Sequence, residues 1–350
     1  MTTTTSPVPA VSKAATGEPI LSIENLTVEY RDSRGRTVHA VAGVSFDLFE
    51  GETVGLVGES GCGKSTIAKA VVGLAPIGSG TIRAFGADLA SMNRQQEKNF
   101  RRQCQMIFQD PISSLNPQRR VKHIVAEGLE ILGGLGKGEI AGRVEKMLAA
   151  VGLDPANARD RRPHEFSGGQ CQRISIARAL AVEPTLLVCD EPVSALDVSV
   201  QAQILNILQD MKSRFKLTML FIAHDLAVIK NVSDRIVVMH LGALCESATP
   251  DELFENPLHP YTLGLIRSIP RPDPSAEIER AFAVGEVPSP TDPPSGCRFR
   301  TRCPLARDVC AQVDPEMVEH SPGHFVACHF PLVDGGDTSS RLGVAEEISQ

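Results

Sequence analysis

Gly58, Glu59, Ser60, Gly61, Cys62, Gly63, Lys64 and Ser65 run consecutively and fit G-x-x-x-x-G-K-[ST], a device for holding phosphate. Glycines let backbone N–H groups converge on an anion without Cβ clashes. A helix starting near Lys64 points the positive end of its dipole at the same place. Lys64 then reaches the β- and γ-phosphates, and the Ser65 hydroxyl is a ligand for Mg²⁺. A second group lies at Leu186–Cys189, a short apolar run that ends in Asp190 and Glu191. A carboxylate at a strand end beside such a loop holds Mg²⁺ through water, which suits Asp190. A second carboxylate polarises an attacking water, which suits Glu191. Ser167-Gly168-Gly169-Gln170 stands just before a helical run, Gln172–Leu180. Alone it reads as a capped helix start; small residues at a helix N-terminus also make an anion site.

These groups need elements to carry them. Thr53–Val57 is apolar and β-branched and reads as a strand, and Thr66–Gly73 reads as a helix ending at glycine. Strand, glycine loop and helix are the order that phosphate chemistry requires. Leu21–Tyr30 and Val38–Leu48 alternate apolar and polar residues around a turn at Asp32–Gly35, which predicts half-buried strands. Residues 86–180 are mostly helical in pattern, with strand-like Met106-Ile107-Phe108 inside them. Gln203–Met211 reads as an amphipathic helix, and Thr218–Ala223 and Arg235–Met239 as buried strands. Such alternation predicts an α/β fold whose parallel sheet is covered on both faces. Residues 250–269 look like a helical appendage. From Pro270 the chain is Pro-rich and expected to be irregular.

Composition limits the reading. The chain has 350 residues, 42% apolar and 22% charged, enough for one large or two ordinary globular domains. A net charge of −7 argues against nucleic acid as the main partner. No apolar run approaches the ~20 residues of a membrane-spanning helix. Met1–Ser6 lacks the basic and apolar regions of a secretory signal, so a cytoplasmic location is expected. Of the nine cysteines, Cys62, Cys104, Cys171, Cys189 and Cys245 are scattered and read as small buried or loop thiols. Cys297, Cys303, Cys310 and Cys328 cluster, which in a cytosolic chain points to metal rather than disulfides.

Taken in order, the glycine loop, Ser167-Gly168-Gly169-Gln170 and Asp190-Glu191 resemble the ATP-binding subunit of an ABC transporter, over residues 20–330. The resemblance implies an α/β P-loop NTPase fold with a mainly parallel core, an antiparallel β subdomain and a helical subdomain at about residues 100–180. It implies an ATPase domain over 19–270 and a Cys-rich C-terminal extension over 271–332; residues 1–18, rich in Thr, Ser, Pro and Ala, and the tail 333–350 are expected to be disordered. By the same resemblance Tyr30 stacks on adenine, and residues Gly58 to Ser65 with Thr66 hold the phosphates of ATP. Ser65, Gln109 and Asp190 hold Mg²⁺. Glu191, His224 and Gln109 serve hydrolysis. Ser167, Gly168, Gly169 and Gln170 face the nucleotide of a second subunit, and Asp197, in Ser194-Ala195-Leu196-Asp197, fits the D-loop and is a further nucleotide-binding position. Phe166 and Cys171 depart from the family pattern, in which leucine and a basic residue are commoner; the second departure is expected to weaken a contact near the partner's nucleotide.

Further stretches narrow the resemblance to the oligopeptide/dipeptide permease group, and to the second ATPase subunit of the pair. They are Phe108-Gln109-Asp110-Pro111, Asp190 through Leu205, Asn256 through Thr262, and Gly296 through Pro304. The implied partners are a second ATPase subunit (sibling or copy) docked head to tail, two transmembrane permease subunits and, indirectly, an extracytoplasmic solute-binding protein. The implied location is the cytoplasmic face of the membrane, and the implied solute a peptide, with nickel or glutathione as alternatives. A soluble ABC ATPase of translation or DNA repair is the rival; it would carry two cassettes or a long coiled coil, and no sustained heptads occur here.

For the four clustered cysteines the spacing leaves two ligands open. Four thiolates suit tetrahedral zinc or an iron–sulfur cluster. The spacings x5, x6 and x17 lack the C-x₂₋₄-C pairs of zinc ribbons, and the resemblance favours a four-iron, four-sulfur cluster. Unligated thiols are the plain alternative. His320, His324 and His329 are near enough in sequence to substitute as ligands.

Overall fold

A computed structural model describes residues 17–269 and 286–332. The expectations for residues 1–16, 270–285 and 333–350 lie outside the described residues. The strands, in chain order, are β1 (Leu21–Arg31), β2 (Thr37–Leu48), β3 (Thr53–Val57), β4 (Ser79–Ala84), β5 (Ala87–Asp88), β6 (Cys104–Ile107), β7 (Leu186–Asp190), β8 (Thr218–Ala223), β9 (Arg235–His240), β10 (Ala243–Ala248), β11 (Val318–Ser321) and β12 (His324–Val326). They form two sheets. One is antiparallel with order β2-β1-β4-β5, and the other has eight strands in the order β11-β12-β10-β9-β3-β8-β7-β6. Within the larger sheet, β9, β3, β8, β7 and β6 run parallel, and β10, β12 and β11 add antiparallel pairings.

The parallel strands explain their own sequences. Every residue of β3, β7, β8 and β9 is buried, because helices or a second sheet cover both faces. Side chains alternate between those faces. Val54, Leu56, Val188, Leu220, Ile222, Val237 and Met239 join one apolar core. Val57, Leu187, Cys189, Met219, Phe221, Ala223, Ile236 and Val238 join the other. The first core also takes helix Lys64–Val71 and the antiparallel sheet. The second takes helices Val121–Leu132, Lys137–Ala150, Gly168–Leu180 and Val198–Phe215. The turn between β1 and β2 forms as expected. Asp32 accepts hydrogen bonds from the backbone N–H of Arg34 and Arg36, and Gly35 supplies φ +76°.

Two expectations need correction. Phe108 lies beyond the end of β6. The Pro-rich segment is less irregular than its composition suggests. Its described part contains helix Val309–Gln312 and strands β11 and β12, and β12 pairs with β10 through Glu246–Val326 and Ser247–Phe325. A buried carboxylate secures that junction. Glu246 accepts from the backbone N–H of Leu258 at 2.7 Å and of His259 at 2.9 Å, and lies 2.7 Å from Nε2 of the buried His324.

Candidate functional site

The parallel register places the C-terminal ends of β3, β7 and β8 side by side, with Val57 opposite Ala223 and Asp190 opposite Ile222. Crevices at this edge are where open α/β sheets bind ligands. The glycine loop leaves β3 here. A Cβ at Gly58 would stand 2.0 Å from the Met239 carbonyl oxygen, and one at Gly63 2.1 Å from that of Ala40. Gly63 also takes φ +108° at the N-cap of helix Lys64–Val71. Both positions therefore exclude any larger residue. Lys64 is buried, and its Nζ donates to the carbonyls of Gly58 at 2.7 Å and Glu59 at 2.9 Å.

The acidic pair sits beside the loop. Ser65 Oγ donates to Oδ1 of Asp190 at 2.7 Å. Burial pushes the Asp190 carboxyl above its usual range, against the pull of the Ser65 hydrogen bond. A buried carboxylate oxygen beside a hydroxyl is a donor set that fits a hard divalent cation such as Mg²⁺. Glu191 follows in the left-handed region at φ +45°, and its N–H donates to the Ile222 carbonyl at 3.0 Å. Such a strained conformation away from glycine is common at functional sites. It sends the Glu191 carboxylate towards two polar groups: Gln109 Nε2 donates to Oε2 at 3.0 Å, and His224 Nδ1 lies 3.5 Å from the same oxygen. Glu191, Ser194, Gln201 and His224 line a small cavity. The structure thus brings Lys64, Ser65, Asp190, Glu191, Gln109 and His224 to one sheet edge. Gln109 bonds to Glu191, not to the Ser65–Asp190 pair with which a metal role would group it.

Ser167, Gly168, Gly169 and Gln170 lie elsewhere. Among the described residues no hydrogen bond or ion pair joins them to the glycine loop. Ser167 caps helix Gly168–Leu180 reciprocally: Gln170 N–H donates to Ser167 Oγ at 3.4 Å, and Ser167 N–H to Gln170 Oε1 at 3.0 Å. This is a capping box, and it leaves both side chains exposed at a helix N-terminus. Gly169 packs on Val200, whose Cγ1 would be 2.6 Å from a Cβ there. Asp197 starts helix Val198–Phe215 without a side-chain cap. Cys171 is buried, with Sγ 3.4 Å from the Pro163 carbonyl oxygen. Tyr30 is half-buried on β1 opposite Val38 and packs on the core that contains Cys62.

All five scattered cysteines are buried and free. Cys297, Cys303, Cys310 and Cys328 line one cavity together with Phe299, His329 and Phe330. Burial pushes Cys303 up to about 11 and Cys328 up to about 12. Among the described residues no three His, Cys, Asp or Glu side chains stand so as to hold a metal ion. Nor do all three histidines offered as substitute ligands reach this cavity. His324 is engaged by Glu246, and His320 is exposed on β11. Of the three, His329 alone lines it, beside His259, with Nε2 donating to the Val313 carbonyl at 2.9 Å.

Sequence reasoning missed the residues that surround Glu59: Tyr261, Arg302 and His240. Arg302 lies 243 residues from Glu59, and no local pattern marks the pairing.

Residues 41–194 match the ABC transporter family, and residues 245–310 match the oligopeptide/dipeptide transporter C-terminal region. The oligopeptide transport ATP-binding protein OppF of Salmonella typhimurium is 49% identical over 320 residues, covering 88% of this chain and 95% of that protein. The cbiO1 structure from Clostridium perfringens, part of an ABC transporter complex, superposes with a TM-score of 0.60 at 29% identity, covering 69% of this chain and 92% of that one. A bacterial ABC transporter cassette solved as a dimer gives 0.60 at 25% identity, covering 66% and 98%. Among the described residues no helix is long and apolar enough to cross a membrane. With its glycine loop, acidic strand end and matched C-terminal region, this chain belongs to the ATP-binding subunits of the ABC transporter family, in the group that carries the oligopeptide/dipeptide transporter C-terminal region.

Proposed function

We propose that the chain hydrolyses ATP to energise import of oligo- or dipeptides across the cytoplasmic membrane. The observation that carries the reading is the convergence of Lys64, Ser65, Asp190, Glu191, Gln109 and His224 at one edge of the parallel sheet. The peptide solute rests on the matched C-terminal region and on the name of the Salmonella relative.

In this reading the glycine loop and Lys64 hold the phosphates of ATP, and Tyr30 holds the adenine. Mg²⁺ held by Ser65 and Asp190 would offset the charge of the β- and γ-phosphates. Glu191 accepts a proton from the attacking water as general base. Gln109 and His224 orient the Glu191 carboxylate, and in this reading His224 also meets the γ-phosphate. Ser167, Gly168, Gly169, Gln170 and Asp197 face the nucleotide held by a second subunit. The exposure of Ser167, Gln170 and Asp197, and the lack among the described residues of any hydrogen bond or ion pair from Ser167–Gln170 to this chain's own loop, support that division. Closing two subunits on shared ATP turns binding energy into domain motion, and hydrolysis releases it. The subunit is peripheral on the cytoplasmic face, docks on two permease subunits and never touches the solute, which an extracytoplasmic binding protein delivers. Reconstituted with those partners, it should drive peptide uptake that needs ATP. Uptake of nickel or glutathione instead would reassign the solute, and a chain that is not recruited to the membrane by permease subunits would favour a soluble factor.

The four clustered thiols fit a metal group in kind: they share one cavity, and four cysteines are a thiolate donor set. Among the described residues no three such side chains are grouped to hold a single ion, and the spacing lacks the paired cysteines of zinc ribbons. An iron–sulfur cluster is larger than a single ion and takes four cysteines, and it is the form we propose. Its role would be to stabilise the C-terminal segment. Anaerobically purified protein should be brown and contain iron with labile sulfide, and Cys303→Ser should bleach it. Colourless protein with stoichiometric zinc, or with no metal, would refute the cluster.

A further inference from the structure

The second residue of the glycine loop is an acid, Glu59. Holding phosphate does not require one there, and a carboxylate beside a triphosphate opposes binding. The structure shows what answers it. Arg302 donates to Glu59 through Nη1 to Oε1 at 3.0 Å and to Oε2 at 2.8 Å, and through Nη2 to Oε1 at 3.0 Å. The Arg302 side chain is 10% exposed and that of Glu59 28%, so the pair is better shielded from water than an ordinary surface bridge. The backbone of Glu59 is committed as well. Its N–H donates to Tyr261 Oη at 2.9 Å, and its carbonyl accepts from Lys64 Nζ at 2.9 Å. Tyr261 is itself fixed, with its ring 4.5 Å from that of His240 and 5.3 Å from that of Phe299. Tyr261, Phe299 and Arg302 all lie in the region matched to the oligopeptide/dipeptide transporter C-terminal family, and Glu59 lies in the ATPase match.

We propose that Arg302, supported by Tyr261, is a positioning residue for the phosphate loop: the C-terminal region grips Glu59, neutralises its charge and fixes the peptide unit against which Lys64 rests. The proposal rests on the ATP-binding reading of the same site. Without Arg302, an uncompensated carboxylate would stand at the phosphate site, and the Glu59 side chain would lose the contact that ties it to the C-terminal region. ATP would then bind more weakly. The step at Glu191 would proceed as before once ATP is bound, because Arg302 makes no contact with Glu191, Asp190 or His224.

The test is ATP binding and steady-state hydrolysis by the full-length chain, with ATP and Mg²⁺. In Arg302→Ala the KM for ATP should rise about tenfold with kcat within about twofold of wild type, the split expected when binding common to ground and transition states is removed. Adding Glu59→Gln to Arg302→Ala should recover most of the lost affinity, because the unpaired charge is gone. A merely structural role would not produce that rescue. An unchanged KM in Arg302→Ala, or a double variant no better than the single one, would overturn the proposal. Should Arg302→Ala fail to fold, Arg302→Lys against Arg302→Gln decides: a KM rise confined to the Gln variant supports the clamp, and equal values for the two overturn it. A wild-type chain that binds no ATP would instead remove the ATPase reading itself, and the clamp with it.

Discussion

Ser65 Oγ and Asp190 Oδ1 meet at 2.7 Å although 125 residues separate them. The meeting is made by the sheet. Helix Lys64–Val71 follows the glycine loop that leaves the end of β3, and Asp190 is the last residue of β7. β8 lies between the two strands and pairs in parallel with both. Replacing Asp190 by Asn keeps the size and the hydrogen bond to Ser65 but removes the charge. Mg²⁺-dependent ATP hydrolysis should fall at least ~10²-fold, since a bound metal offsets several kcal/mol of developing charge. ATP binding measured without Mg²⁺ should change little. A variant with wild-type rate and wild-type Mg²⁺ dependence would remove Asp190 from the metal site.

Ser167→Arg tests the division of the site between two subunits. Ser167 is exposed and joined to no group of the glycine loop, so the isolated variant should bind ATP as the wild type does. Its bulk and charge should block closure of the ATP-bound pair and abolish cooperative hydrolysis. A large loss of ATP affinity in the isolated subunit would show that Ser167 serves its own nucleotide.

The ring cluster behind the loop predicts a pH dependence of stability. Burial lowers His240 from 6.5 to about 4, with Glu59 opposing and Arg302 and Arg298 adding to the shift. Burial also lowers His259 to about 3. Below pH 6.5 the unfolded chain takes up protons at these positions while the folded chain does not, so stability must fall as pH drops from 6.5 towards 4. For His240 alone the loss across that window is about 3 kcal/mol. Neither ring nitrogen of His240 has a hydrogen-bond partner, so His240→Phe should fold and show a shallower decline. Thermal melts between pH 7 and 4.5 measure it; parallel pH profiles for the two proteins would contradict the assignment.

Where the sequence carried a strong local signal, the structure follows it. Thr53–Val57 and Thr218–Ala223 are strands with the expected limits, because parallel strands buried on both faces must be unbroken apolar runs. Glu191 and His224 were legible because each follows such a run. What was hidden depends on distant partners. β4 has only two buried residues and pairs with β1 far along the chain. β12 has three residues and becomes a strand through β10. The grip of Arg302 on Glu59 joins positions 243 residues apart. Charge and aromatic character were visible at these positions, but which partner each would find depends on the folded sheet.

The central claim is that Glu191 activates water for ATP hydrolysis, and Glu191→Gln addresses it most directly. The substitution keeps size and hydrogen bonding and removes the base. Measured on the purified transporter, ATP binding should persist while turnover falls at least ~10²-fold, typical of losing general-base assistance, and the ATP-bound closed pair should accumulate. Turnover close to that of the wild type would contradict the account.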